Sequence, residues 1–191
     1  MKRFSFITLM ALSVFAVAQA DTWKLDKAHS EANFTVSHMV ISEVTGNFKE
    51  FDIKFEAPGS DFTNASIEAV IKVNSINTDQ EKRDGHLKSD DFFNAEKYPE
   101  IIFKSTSFEK VDENKYNITG DLTIRGTTKT VTFGAVHKGT LKTQQGTLSA
   151  WKAILDINRF DYGLKWNRLV ETGGLVVGEN VSIVLNLEFN K

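Results

Sequence analysis

Val181-Ser182-Ile183-Val184-Leu185-Asn186-Leu187-Glu188-Phe189 is the stretch on which the fold turns. Val181, Ile183, Leu185, Leu187 and Phe189 share one face at the two-residue period of an extended strand. No other segment alternates so regularly, and this one ends the chain. Left at the edge of a sheet, so long and even a strand would be a template for other chains. Closing the sheet into a barrel removes the edge. The stretch therefore favours an antiparallel barrel over a sandwich.

The same period recurs upstream. Trp23 to Asp26 reads as a short strand, and His29-Ser30 as a turn. In Asn33 to Val40, Phe34, Val36 and His38 share a face. Gly46, within Val44 to Phe48, marks an expected bulge or bend. Phe51, Ile53 and Phe55 alternate with Asp52, Lys54 and Glu56, and Pro58-Gly59 stops that strand. Ile67, Ala69, Ile71 and Val73 form the next. Ile101, Phe103, Ser105 and Ser107 share a face, as do Tyr116, Ile118, Leu122 and Ile124. Arg125 to Lys129 reads as a hairpin turn, after which Val131, Phe133 and Ala135 return. Leu148 to Ile157 shifts its apolar phase near Trp151, where a bulge is expected. Phe160 to Glu171 reads as a long loop, and Thr172-Gly173-Gly174 as a turn. Together these make an all-β, antiparallel barrel of about eight strands, whose interior side chains can fill or which can hold one ligand.

One segment breaks the alternation. Thr78 to Pro99, TDQEKRDGHLKSDDFFNAEKYP, is rich in charge and then carries Phe92-Phe93. It predicts a short helical insert near residues 79–98, capped by Asp79 and weakened at Gly85, which covers one barrel mouth with both phenylalanines turned inward. Whether it moves as a lid or stands as a fixed wall is open at this level.

The chain has 191 residues, 41% of them hydrophobic and 25% charged, as one ordinary globular domain would. Met1-Lys2-Arg3, the apolar run Phe4 to Val17 and Ala18-Gln19-Ala20 fit a secretory leader cleaved after Ala20. The run is too short for a stable membrane span. The expected division is a leader at 1–20 and one secreted domain at 21–191. Removing Lys2 and Arg3 from 23 basic residues leaves 21 against 25 acidic ones, a net charge of −4. With no basic run, nucleic acid is not an expected partner. The absence of cysteine excludes thiolate chemistry, Cys-bound zinc and Cys-attached haem.

Several segments, in order, resemble the YceI-like family. They are Trp23-x-Leu25-Asp26-x-x-His29-Ser30, Phe34-x-Val36-x-His38 and Gly46-x-Phe48, then Arg83-Asp84-x-His86-Leu87-Lys88-Ser89-x-Asp91-Phe92-Phe93. Pro99-x-Ile101-x-Phe103-x-Ser105, Gly120-x-Leu122-Thr123-Ile124-Arg125-Gly126 and Arg159-Phe160-Asp161-Tyr162-Gly163 complete the set. The resemblance covers essentially all of the chain after the leader. It implies a lipocalin-like barrel with a long apolar cavity. It also implies a polyisoprenoid ligand such as a prenylated quinone or an isoprenyl phosphate, or a fatty-acid amide, and a periplasmic location.

The candidate ligand-binding residues are Phe34, Val36, His38, Arg83, Phe92, Phe93, Phe103, Ile118, Leu122, Phe133, Ile183 and Leu185, with Val131 on the same apolar face. Every barrel has such a face, so periodicity alone reads it as core, and the resemblance turns it into a tunnel. The 12 phenylalanines outside the leader suit a slim apolar tail, each buried CH₂ of which is worth about 0.8 kcal/mol. Arg83 could supply a cation to a headgroup, or simply bond nearby groups, with Arg159-x-Asp161 as a structural partner. His29, His38, His86 and His137 lack metal-ligand spacing, and His137 beside Lys138 reads as a solvated strand end. No cofactor or metal is expected. The partners to look for are a long apolar lipid and, as an assembly, a homodimer. Competing functions are an enzyme on such a lipid, using His38, Asp84 and Asp91, and a stress-linked scaffold. No Gly-x-Ser-x-Gly elbow is present.

Overall fold

The computed structural model describes residues 20–169 and 173–191. Residues 1–19 of the leader expected at 1–20, Val170 and Glu171 of the expected long loop and Thr172 of the expected glycine turn lie outside the described residues. The strands are β1 (Asp21–Leu25), β2 (Glu31–His38), β3 (Ser42–Phe48), β4 (Phe51–Ala57), β5 (Ser66–Lys72), β6 (Ile76–Asn77), β7 (Glu100–Lys110), β8 (Lys115–Ile124), β9 (Thr127–Thr143), β10 (Gly146–Asn158) and β11 (Val177–Asn190). One helix, α1 (Glu81–Lys88), interrupts them.

All neighbours are antiparallel, and β11 pairs with both β10 and β1, which closes the sheet. β1 and β2 form one kinked stave, β3 and β4 the second, β5 and β6 the third: β1 pairs β4 while β2 pairs β3. The barrel is thus a meander of eight staves, as the alternation predicted. The kink in the first stave explains the Leu25-Asp26-x-x-His29-Ser30 segment. Asp26 accepts a hydrogen bond from the Ala28 amide (2.9 Å) and lies 3.0 Å from His29 Nδ1. The Asp26 amide donates to the Glu188 carbonyl (2.8 Å), and the Glu188 amide donates to Ser30 Oγ (3.0 Å). The Asp26 amide and the Ser30 hydroxyl therefore carry β11's hydrogen bonds across the break in its partner.

The expected bulge at Trp151 is present, as a register shift between Ala150 and Trp151. A second, between Ser105 and Ser107, was not foreseen; it turns Phe108 rather than Ser107 to the core. Gly46 is not a bulge. It pairs regularly with Phe34, and a Cβ there would stand 2.5 Å from the Phe34 ring and 2.7 Å from Thr78 Cγ2, so glycine makes room for the ring. The Arg125 hairpin is tighter than expected. Arg125 and Gly126 alone form it, both at positive φ (48° and 71°), and Thr127 already belongs to β9. The segment after β10 opens as a 3-10 turn, Arg159–Tyr162, rather than as a loop.

In the insert, Gln80 rather than Asp79 caps α1, its side chain accepting from the Arg83 amide at 2.7 Å. Asp79 instead takes a positive φ of 58°, which a short polar side chain tolerates. The helix runs through Gly85 to Lys88. Its neighbours, not its own propensity, hold so short a helix.

By the up-and-down course, one barrel end carries the β2–β3 hairpin, the insert, the Arg125 hairpin and the segment after β10. The other carries Pro58–Ala65 and the β7–β8 and β9–β10 turns. That second end is closed by aromatic packing. Phe62, 1% exposed, folds in against Trp23, Phe55 and Trp151 at ring separations of 5.0–5.8 Å. The Tyr116 hydroxyl donates to the Asp61 carbonyl at 2.9 Å and fixes the loop. His137 is part of this plug, not a solvated strand end: β9 extends well past it, and its ring lies 4.6 Å from Trp151 and 4.9 Å from Phe62.

Candidate functional site: an apolar channel and a side pocket at its mouth

Inward-facing residues of all eight staves leave a narrow channel of about 110 Å³. Among the described residues, Asn33 is its one polar lining residue. Phe34, Phe103, Ile118, Leu122, Phe133, Ile183 and Leu185, all expected from the alternation, line it. Small side chains from three staves, Ala69, Ala135 and Ala153, leave the room, because their neighbours are large. Phe55, Phe108, Trp151 and Phe189 form the floor above the aromatic plug. So slim and nearly apolar a space suits an unbranched or methyl-branched chain and has little to solvate a polar group.

The remaining candidates do not line the channel. Val36, His38, Arg83 and Phe92 meet in a separate side pocket of about 200 Å³ at the insert end, with His86, Leu87, Trp166, Val176 and Val177. Phe34 lines both spaces and is the partition between them. Phe93 is in neither; it lies half-buried with its edge toward Phe48, 6.0 Å away, and covers the channel end. The two phenylalanines of the insert thus both turn inward, but into different places. Val131 packs on the core without lining the channel.

Arg83 neither pairs with Asp84 nor meets Arg159. Its Nε donates to Thr78 Oγ1 (2.8 Å) and a terminal nitrogen to the Thr78 carbonyl (2.7 Å), while Asp84 accepts from the Thr78 amide (2.9 Å) and hydroxyl. Thr78 is the hub, and it is the same residue that Gly46 must clear. Arg83, held by these bonds, lines the side pocket. Arg159 is a different device. It is 4% exposed and donates to the carbonyls of Gly178 (2.7 Å), Leu164, Trp166 (2.9 Å) and Val177 (2.9 Å). Burial pulls its pKa down, partly opposed by Glu179. This clamp, rather than a partnership with the insert, holds Trp166 against the pocket.

The three residues considered for acid–base chemistry bond apart from one another. His38 Nδ1 faces Ser42 Oγ at 3.5 Å, Asp84 serves Thr78, and Asp91 lies 2.8 Å from His86 Nε2. His86 is the residue that the alternation missed. Its ring stands edge-on between Phe92 and Trp166, 5.1 Å from each, and Asp91 orients it in the side-pocket wall. Its signal was its place in the Arg83–Phe93 segment, but only the fold of the insert turns it inward. Arg125, a turn residue within the Gly120–Gly126 segment, has a further role. It donates to the carbonyls of Phe92 (2.7 Å) and Gly163 (3.1 Å) and to Asp90 (2.9 Å), fastening the insert to the rim.

The sequence and the fold were compared with known proteins. A family model for the YceI-like domain matches residues 23–189. A UPF0312 protein of Staphylococcus aureus strain N315 is 38% identical over 167 residues, covering 86% of this chain and 95% of the relative. The crystal structure of a Campylobacter jejuni YCEI protein superposes with a TM-score of 0.71 at 30% identity, covering 87% of this chain and 96% of that one. A polyisoprenoid binding domain from Saccharophagus degradans shares the fold, with a TM-score of 0.64 at 18% identity, covering 88% and 97%. Among the described residues, no helix is long and apolar enough to cross a membrane.

Proposed function

Since the chain belongs to the YceI-like family, we propose that it binds a long apolar lipid, with the tail in the barrel channel and the headgroup in the side pocket. The observation that carries this reading is the adjacency of the two spaces, which share the Phe34 ring as a wall. A channel with one polar lining residue meets, across the single ring of Phe34, a pocket that bears Arg83, His38 and His86. Chain burial supplies affinity in the first, at about 0.8 kcal/mol per CH₂. Charged and hydrogen-bonding groups supply orientation in the second.

The tail is polyisoprenoid, as of a prenylated quinone or an isoprenyl phosphate, or the acyl chain of a fatty-acid amide. The slimness of the channel supports an acyclic tail over a fused-ring lipid. The description of a fold neighbour as a polyisoprenoid binding domain motivates the prenyl choice. The protein acts as a carrier in the periplasm after cleavage following Ala20. Solvent extraction of the purified protein, followed by mass spectrometry, tests the reading. A stoichiometric prenyl or long-acyl lipid is expected. A protein that yields none, and takes up none when offered prenylated quinone or polyprenyl phosphate, contradicts it. N-terminal sequencing tests the location: Asp21 is expected first, and an intact Met1 contradicts it.

A further inference from the structure

The hairpin that joins β2 to β3 ends in Met39-Val40-Ile41, whose side chains are 47%, 65% and 90% exposed. Met39 and Val40 both take the left-handed conformation, at φ 51° and 70°. A β-branched residue there is strained, and glycine or asparagine is the usual occupant. The chain therefore spends conformational energy to hold three consecutive apolar side chains out into water. A second apolar point stands beside them. The Met39 amide donates to the Val176 carbonyl (2.9 Å), the Val176 amide donates to the Arg168 carbonyl (2.8 Å), and Leu169, 66% exposed, bridges to Leu175. Lys165 and Arg168 are exposed in the segment that leads to Leu169, and Glu43, Asp161 and Glu179 are exposed acids of the hairpin and the flanking segments. The side pocket opens directly below, because His38, Val176 and Val177 line it.

We propose that this rim is a membrane-docking tip, which lowers Met39, Val40, Ile41 and Leu169 into the headgroup layer of an anionic bilayer. The occupant follows from size and charge. The exposed apolar side chains are four, on the β2–β3 hairpin and beside the Leu169–Leu175 bridge, too few to seat a peptide. A second copy of this chain would need roughly 800 Å² per partner, far more than four side chains, none of them aromatic, present. A bilayer interface takes shallow apolar side chains and favours flanking Lys and Arg. Docked this way, the side pocket faces the lipid. The inference goes beyond the lipid-binding reading and stands without it, since the tip docks whether or not the channel is filled.

The chain has no cysteine, so an environment-sensitive fluorophore attaches only where one is introduced. Ile41→Cys places it on the tip and Glu113→Cys on the β7–β8 turn at the opposite barrel end. With vesicles of phosphatidylethanolamine and phosphatidylglycerol, emission from the label at position 41 is expected to shift to the blue, and emission from position 113 to stay unchanged. In unlabelled protein, Ile41→Ser and Val40→Gly are expected to lower vesicle partition several-fold. Val40→Gly should at the same time raise Tm, because glycine accepts φ 70°. No shift at position 41, an equal shift at both positions, or vesicle binding unchanged in both variants overturns the proposal. So does a position-41 shift that grows with protein concentration in the absence of vesicles, which would mark self-association.

Discussion

Phe34 depends on a hydrogen atom across the strand. Its ring occupies the space that a side chain at Gly46 would fill, between the channel and the side pocket. Gly46→Ala should destabilise the protein by about 1–3 kcal/mol, as overpacking does. Adding Phe34→Ala should recover part of that loss, because the two sites share one volume. Chemical denaturation of the two single variants and the double variant measures the coupling, and strict additivity would refute the contact. His137 makes a second residue-scale prediction. Burial in the plug, with Lys110 nearby, holds its pKa below the usual value, against a backbone hydrogen bond at Gly139. Its contribution is thus fully present above about pH 6.5, and is lost as pH falls, since the unfolded chain takes the proton first. His29 runs the opposite way, raised by Asp26. Urea midpoints at pH 7.5 and 5.5 should therefore show a smaller acid loss in His137→Gln than in the parent, and an equal loss in both would contradict the assignment.

Among the elements, the strands were legible and the insert was only half so. Alternation in Ile183–Phe189 or Phe51–Phe55 reports which side chains point inward, because strand period is fixed at two. It cannot report a kink such as Asp26–Ser30, where side-chain bonds replace the ladder, or a shift such as that at Ser105. The inward-facing residues of the straight strands are accordingly legible from the period, which does not say whether they enclose a space. His38 and Val36, near the hairpin end of β2, were assigned to the channel face but lie past the Phe34 partition. The insert's contents were readable as polar, helical and ending in two aromatics. Its attachment was not, because Arg125 reaches the insert through the Phe92 backbone carbonyl, which has no sequence signature. The bonds from Arg125 to Phe92 and Gly163 make the insert a fastened wall. Arg125→Ala should cost about 1–2 kcal/mol, since its third bond is to an Asp90 that is largely exposed. Hydrogen exchange should then quicken at Phe92–Tyr98 while β8 and β10 stay protected. Uniform quickening across the barrel would show that the arginine holds the whole fold rather than the insert.

For the molecule as a whole, closure by β11 onto both β10 and β1 answers the problem of the regular terminal strand. It also encloses a channel that is plugged at one end by Phe62 and Trp151 and partitioned at the other by Phe34. Lipid binding in that channel is the central claim, and native mass spectrometry of the parent beside Ala69→Phe tests it most directly. Ala69 faces the channel from β5, paired with Ile53 and Phe103 on its neighbours, and a phenyl ring there fills the narrow space at a cost of about 1–3 kcal/mol. The parent is expected to carry one prenyl or long-acyl lipid, and the folded variant none. Equal lipid occupancy in the two proteins, with the variant still folded, would contradict the account.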